Sequence, residues 1–147
     1  MQLQLPNLGA MKDFGARLAA RLQPGDVVEL RGELGAGKST LARAVLEALG
    51  HTGDVPSPTF TLIELYDGPD LRLPVAHADF YRLDDPEEVH ELGLGDYREG
   101  AALLAEWPDK AGGFAHEPAC LTIQLEIAEE GRLAIVTGGK AWQKRMP

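Results

Sequence analysis

Residues Gln2 to Leu5 alternate polar and apolar side chains, the period-two pattern of a short half-buried strand. Asn7 stands where its side chain can cap a helix, and Met11, Phe14, Leu18, Ala19 and Leu22 recur at three- and four-residue spacing. A helix over Ala10 to Leu22 follows, closed by a turn at Pro24 and Gly25. Asp26 to Arg31, DVVELR, reads as a strand, and STLARAVLEALG as a second helix that Gly50 stops. His51 to Pro58 is broken by Gly53, Pro56 and Pro58 and reads as a loop.

Two strand patterns, TFTLIELY and LRLPVAHADFY, flank Asp67-Gly68-Pro69-Asp70 and predict a hairpin, with Pro74 at an edge or a bulge. Asp85-Pro86-Glu87-Glu88 opens a short helix, with proline early and acids near the positive end of the helix dipole. Further strands are expected at Ala102 to Trp107, Cys120 to Ile127 and Leu133 to Thr137. One strand-loop-helix unit among hairpin-like strands predicts an α/β fold. Its mixed sheet has a parallel centre and antiparallel flanking strands, with helices on both faces.

Composition narrows the class. The 147 residues suit one domain. No apolar run approaches the roughly 20 residues a membrane helix needs, and the opening MQLQLPNLGA has no signal-like pattern, so no membrane and a cytoplasmic location are expected. Cys120, in ACLTIQLEI, reads as a buried small hydrophobe. With 23 acidic and 14 basic side chains, the net charge of −9 repels nucleic acid unless basic residues gather on one face. The basic and aromatic residues Lys140, Trp142, Lys144 and Arg145 lie in a segment, Gly138 to Pro147, whose composition suits contact with RNA or a partner, with a solvated, disordered tail the simpler expectation.

Gly32-Glu33-Leu34-Gly35-Ala36-Gly37-Lys38-Ser39 matches G-x-x-x-x-G-K-[ST], set between strand and helix. Phosphate oxygens need several donors converging from one side, and glycine lets the loop turn its amides inward without side chains intervening. Lys38 supplies a cation for the β- and γ-phosphates, the Ser39 hydroxyl reaches Mg2+, and Thr40 can donate to a neighbouring phosphate. Such a site also needs an acid at a strand end. Glu64 lies mid-strand and fits poorly; Asp79 after VAHA and Glu106 after ALLA both fit, and the residues alone do not choose between them. His77, Asp79 and Tyr81 alternate, so a strand would point all three to one face.

Taken in order, GELGAGKST at Gly32 to Thr40, SPTFTL at Ser57 to Leu62, HADFYRL at His77 to Leu83 and EWP at Glu106 to Pro108 resemble the TsaE (YjeE) family, the ATPase component of bacterial tRNA threonylcarbamoyladenosine synthesis. The resemblance implies a P-loop fold with flanking antiparallel strands. It implies ATP and Mg2+ as ligands, weak hydrolysis by the chain alone, and TsaB and TsaD as partners, with tRNA met only through that complex. It also implies that Thr59 is a polar contact in a switch-like loop, that Asp79 is the Walker B-like acid, that Glu106 serves the metal or its water, and that Trp107 borders the site. Ser39 stands where the family commonly has threonine, and either hydroxyl can bind magnesium.

The same residues bear on rival classes. Asn7 is the only asparagine, so no N-K-x-D guanine reader exists, and neither Ser39 nor Ser57 sits in a transporter-type signature. A small-molecule kinase using the same loop is the serious alternative, and a nucleotide-gated binding module with incidental ATP turnover is a further class. Arg82 and Arg98 are the in-chain candidates for an arginine finger, with surface ion pairing the simpler expectation for both.

Overall fold

The computed structural model describes residues 1–58 and 62–147. Its strands are β1 (Gln2–Leu5), β2 (Val27–Arg31), β3 (Ile63–Tyr66), β4 (Val75–Asp79), β5 (Ala102–Glu106), β6 (Cys120–Ile127) and β7 (Arg132–Gly138). The helices are α1 (Leu8–Arg21), α2 (Lys38–Leu49), α3 (Glu88–Glu91) and α4 (Leu94–Arg98). The strands form one sheet in the order β1-β7-β6-β2-β5-β4-β3. β6, β2, β5 and β4 run parallel, while β1-β7, β6-β7 and β3-β4 are antiparallel. The parallel centre and antiparallel flanks expected from the sequence are both present.

The two sheet faces are covered unequally. On one, α1 and α2 bury Phe14, Leu18, Leu41, Val45 and Leu46 against Val28, Leu30, Leu121 and Ile123. On the other, α3, α4 and the connections around them bury Phe80, Leu83, Val89, Leu94 and Phe114. Every residue of β4 and β5 is buried, as strands covered on both faces must be. Helix α1 is capped as expected, Asn7 Oδ1 accepting the Ala10 amide at 2.9 Å. Its close fit on α2 requires Gly15, where a Cβ would lie 2.6 Å from the Ala44 methyl.

Four expectations change. The first hairpin strand begins at Ile63, the expected part at 59–61 lying outside the described residues. β4 begins at Val75, so Pro74 falls just before an interior strand, where its carbonyl accepts the Ala102 amide at 3.0 Å. Helix α4 follows α3 without a separate sequence signal, its start marked by Gly93 at φ 73°. Residues 138–147 are folded onto the body, not solvated as a tail. Lys140–Trp142 form a 3₁₀ turn, Trp142 has no exposed surface, and its indole Nε1 donates to the Ala119 carbonyl at 2.8 Å. Arg145 forks onto the buried Asp26 carboxylate at 2.6 and 2.7 Å and covers the Trp142 ring at 4.1 Å. Burying the indole supplies the free energy that orders the segment.

Cys120 is 2% exposed, as expected of a small core hydrophobe, and burial pushes its thiol up to about 11. The thiolate is therefore scarce in the folded protein at pH 8. Modification by a disulfide reagent at that pH is expected to be slow and to accelerate on adding denaturant. Stopped-flow absorbance measures both rates, and equal rates would contradict the burial.

Candidate functional site

The Gly32 to Ser39 loop leaves the carboxyl end of β2 and turns directly into α2, whose first residues are Lys38 and Ser39. Two glycines make this turn possible. Gly32 has φ 144° and lies so close to β6 that a Cβ would sit 2.6 Å from the Leu125 carbonyl oxygen. Gly37 caps α2 at φ 108°, a left-handed conformation that costs a side-chain-bearing residue about 1–2 kcal/mol. From the far side Arg132, at the start of β7, donates to the Ala36 and Gly35 carbonyls, each at 3.0 Å. Binding the loop's carbonyls from outside keeps them from its amides, of which the Ala36 amide is taken by the Glu33 carbonyl at 3.0 Å.

Asp79 ends β4 and Glu106 ends β5, and the two are directly paired in the parallel register. Both strand-end acids therefore arrive at the same place, beside the loop. Together with Leu34, Gly35, Gly37, Lys38, Ser39, Thr40, Ser57 and Trp107 they line a pocket of about 250 Å³. Glu106 is 3% exposed. Its Oε1 accepts the Ser39 hydroxyl at 3.3 Å and its Oε2 meets His77 Nε2 at 2.7 Å. His77 Nδ1 is buried with no hydrogen-bond partner among the described residues. Asp79 is 7% exposed and accepts the Tyr81 amide at 3.0 Å.

Lys38 is bent back over the loop, donating to the Gly32 carbonyl at 2.5 Å and the Glu33 carbonyl at 3.2 Å, with its ammonium 4.3 Å from the centre of the Trp107 ring. Burial lowers its pKa below the ordinary 10.5, opposed by Glu106, Asp79 and Glu33. Trp107 follows Glu106 in the left-handed region, at φ 55°. For a bulky residue this is a strained turn of the kind found at functional sites. It takes the chain off β5 at once and lays the indole between Lys38 and Tyr81, whose ring centre is 5.0 Å away. The turn is fixed from below: Arg31 at the end of β2 bridges Asp109 at 2.7 and 2.8 Å and the fully buried Glu29. Glu29 also accepts the Phe114 amide and the Thr122 hydroxyl, each at 2.8 Å.

Of the residues that the sequence singles out, Leu34, Gly35, Gly37, Lys38, Ser39, Thr40, Asp79, Glu106 and Trp107 come together around this pocket. Ala36 is buried at the back of the loop and Glu33 is exposed on it. Thr59 lies outside the described residues. Of the His77, Asp79 and Tyr81 trio, His77 joins Glu106, whereas Tyr81 falls beyond β4 and is 55% exposed. Glu64 sits on edge strand β3 opposite His77, away from the pocket. Arg98 forms the expected ion pair, with Glu117 at 2.5 Å. Sequence reading misses Arg132, His77 as the partner of Glu106, and the Glu29-Arg31-Asp109 bridge. All three depend on contacts between residues far apart in the chain.

The pocket does not stand alone. A second cleft of about 290 Å³, lined by Leu5, Asn7, Leu8, Met11 and Arg132, shares Gly35, Gly37 and Thr40 with it across the loop. A mixed-sheet α/β protein carrying a phosphate-loop motif beside two strand-end carboxylates is the class this arrangement defines. Within that class the chain matches, over residues 5–134, the family described as "Threonylcarbamoyl adenosine biosynthesis protein TsaE", and it belongs to that family.

Relatives agree over most of the length. The tRNA threonylcarbamoyladenosine biosynthesis protein TsaE of Haemophilus influenzae is 37% identical over 134 residues, 87% of this chain and 83% of that protein. The protein of the same name from Streptomyces coelicolor is 38% identical over 142 residues, 90% of this chain and 93% of its own. The crystal structure of Bacillus subtilis YdiB superimposes with a TM-score of 0.75 at 27% identity, covering 97% of this chain and 88% of that one. The chain is thus a member of a family that acts in tRNA threonylcarbamoyladenosine biosynthesis.

Proposed function

We propose that the chain binds and hydrolyses MgATP and that this turnover drives a TsaB–TsaD complex forming N6-threonylcarbamoyladenosine on tRNA in the cytoplasm. The observation that carries the reading is the convergence of Lys38, Ser39, Asp79 and Glu106 on one pocket at the mouth of a glycine loop. Polyphosphate lies along the loop amides, with Lys38 released from the Gly32 and Glu33 carbonyls to meet the β- and γ-phosphates. The adjoining cleft between Leu8, Met11 and Arg132 is the apolar space open to a nucleoside. Among the described residues no helix is long and apolar enough to cross a membrane.

The donors suit Mg2+, a hard cation that takes oxygen ligands and keeps several waters. A hydroxyl and two carboxylates, Ser39, Glu106 and Asp79, would hold it, and no cluster of three or more His, Cys, Asp or Glu among the described residues offers an all-protein cage. Bound there, the ion neutralises charge on the β- and γ-phosphates. The chain does the rest. Glu106, fixed by His77, orients the attacking water, and Asp79 shares that task. Lys38 and the loop amides stabilise charge on the γ-phosphoryl group as its bond to the β–γ bridging oxygen breaks and water takes its place.

The test is formation of labelled threonylcarbamoyladenosine on tRNA by TsaB, TsaD, the threonylcarbamoyl donor and MgATP, with wild-type chain or Glu106→Gln. Multiple-turnover product is expected only with the wild type, the variant falling at least 10²-fold, on the scale of a lost transition-state contact. Equal product without the chain would overturn the assignment and favour phosphoryl transfer to a small-molecule hydroxyl.

A further inference from the structure

Charge is segregated along this chain, and the fold converts the segregation into a surface. Residues 1–25 and 131–147 carry seven of the 14 basic side chains but only one of the 23 acidic ones, Asp13; that net of +6 leaves −15 on residues 26–130. The two segments are brought together because β1 pairs with β7 at one edge of the sheet. The 3₁₀ turn after β7 then folds under the last turn of α1, where Arg145 Nη1 donates to the Arg21 carbonyl at 2.8 Å.

Around that contact Arg17, Arg21, Lys140 and Lys144 are exposed, and none has a carboxylate partner among the described residues. The neighbouring acids are already engaged. Asp26 is buried under Arg145, and Glu117, next to the Pro118 whose carbonyl accepts the Ala141 amide, is held by Arg98. Asp13, in the middle of α1 and one turn before Arg17, makes no ion pair among the described residues.

We propose that this surface binds the phosphate backbone of RNA, namely the tRNA on which the family's pathway acts. A net charge of −9 opposes such binding unless cations gather on one face, and this is the condition the fold meets. At about 0.1 M salt the screening length is ~10 Å, so phosphates at the patch respond to its own cations more than to distant acids. A backbone ligand suits the site better than an acidic protein does. Protein interfaces need a buried apolar or aromatic anchor. Among the described residues the exposed Leu34, Leu65, Tyr81 and Ile127 lie on other elements, Leu8 stands at the far end of α1 from Arg21, and Met1, beside Val136, borders the patch. Trp142 is fully buried and offers no stacking face, so contact is with phosphates and not bases. The patch lies at the amino ends of β2 and β6, across the sheet from the Gly32 to Ser39 loop, so nucleotide and RNA do not compete for space.

The proposal is independent of ATP hydrolysis, and a labelled anticodon stem-loop RNA tests it. Fluorescence anisotropy with the full chain, in a salt series from roughly 0.05 to 0.3 M, gives the dependence of affinity on salt. The wild type is expected to bind with affinity that falls as salt rises. Lys140→Gln with Lys144→Gln is expected to flatten the log–log slope by about 1.4, two single-strand phosphate contacts at ~0.7 each. Arg21→Gln flattens it by about half as much, and Arg43→Gln, an exposed cation on α2 outside the patch, leaves it unchanged. Absence of wild-type binding, or an unchanged slope in both patch variants, overturns the proposal. So does displacement of the RNA by polyglutamate at lower charge concentration than by unlabelled RNA, which would assign the patch to an acidic protein.

Discussion

Replacing Lys38 with alanine is expected to lower the rate of ATP hydrolysis by about 10²- to 10³-fold, the scale of removing one donor from developing transition-state charge. The fold should survive the change. Lys38 lies outside both apolar clusters of the core, and its burial already disfavours the ammonium form. Phosphate release measures the loss, and an unchanged thermal midpoint separates it from unfolding. The alkaline limb carries a second signature. Because burial lowers the Lys38 pKa, the nucleotide-free chain loses this cation at a pH below the ordinary 10.5. ATP affinity is therefore expected to decline at a lower pH than an unperturbed lysine would give, and Lys38→Ala should abolish that limb. Full hydrolysis by the alanine variant would remove Lys38 from the phosphate site.

The sequence shows why the same pocket is only partly legible in one dimension. Its loop could be read because every requirement is local: glycines at the turn, a lysine and a hydroxyl at the helix start, a strand before and a helix after. The acids could be listed but not ranked, and the register explains this. Asp79 and Glu106 are opposite each other at the ends of adjacent parallel strands, so any local criterion that favours one favours the other. What separates them is tertiary: Glu106 touches Ser39 and His77, and Asp79 turns to the Tyr81 amide. The alternation of His77, Asp79 and Tyr81 indicates a common face only while the strand lasts, and it ends at Asp79.

The sheet centre was readable for a related reason. Val27, Val28, Leu30 and the run Ala102 to Ala105 are apolar on both faces, which is what a parallel strand covered on two sides requires. Contacts across long stretches of sequence were not. Arg132 reaches the loop carbonyls of Gly35 and Ala36 from nearly a hundred residues away, and nothing around it in the sequence marks that reach. Pro74 illustrates the limit of a rule that is sound in itself: proline is excluded from central strands, and the chain obeys by starting β4 one residue later.

Residues 138–147 read as a solvated tail because the segment is polar on average, whereas its ordering depends on one side chain. Trp142→Ala is therefore expected to cost about 3–5 kcal/mol, the range for emptying a buried aromatic site. With a urea m-value of about 2 kcal/mol/M, the midpoint falls by roughly 2 M at unchanged m. The loss has two parts that a second variant separates. Trp142→Phe keeps most of the apolar volume but gives up the Nε1 bond to the Ala119 carbonyl, so it should cost only about 1–3 kcal/mol. Arg145→Ala acts differently, leaving the Asp26 carboxylate buried with the Gln23 amide at 2.7 Å as its remaining partner. Breaking such a pair costs about 3–5 kcal/mol. A Trp142→Ala protein as stable as the wild type would return the segment to solvent. It would also detach Lys140 and Lys144 from α1, so the stability of this clasp and the basic surface beside it stand or fall on the same indole.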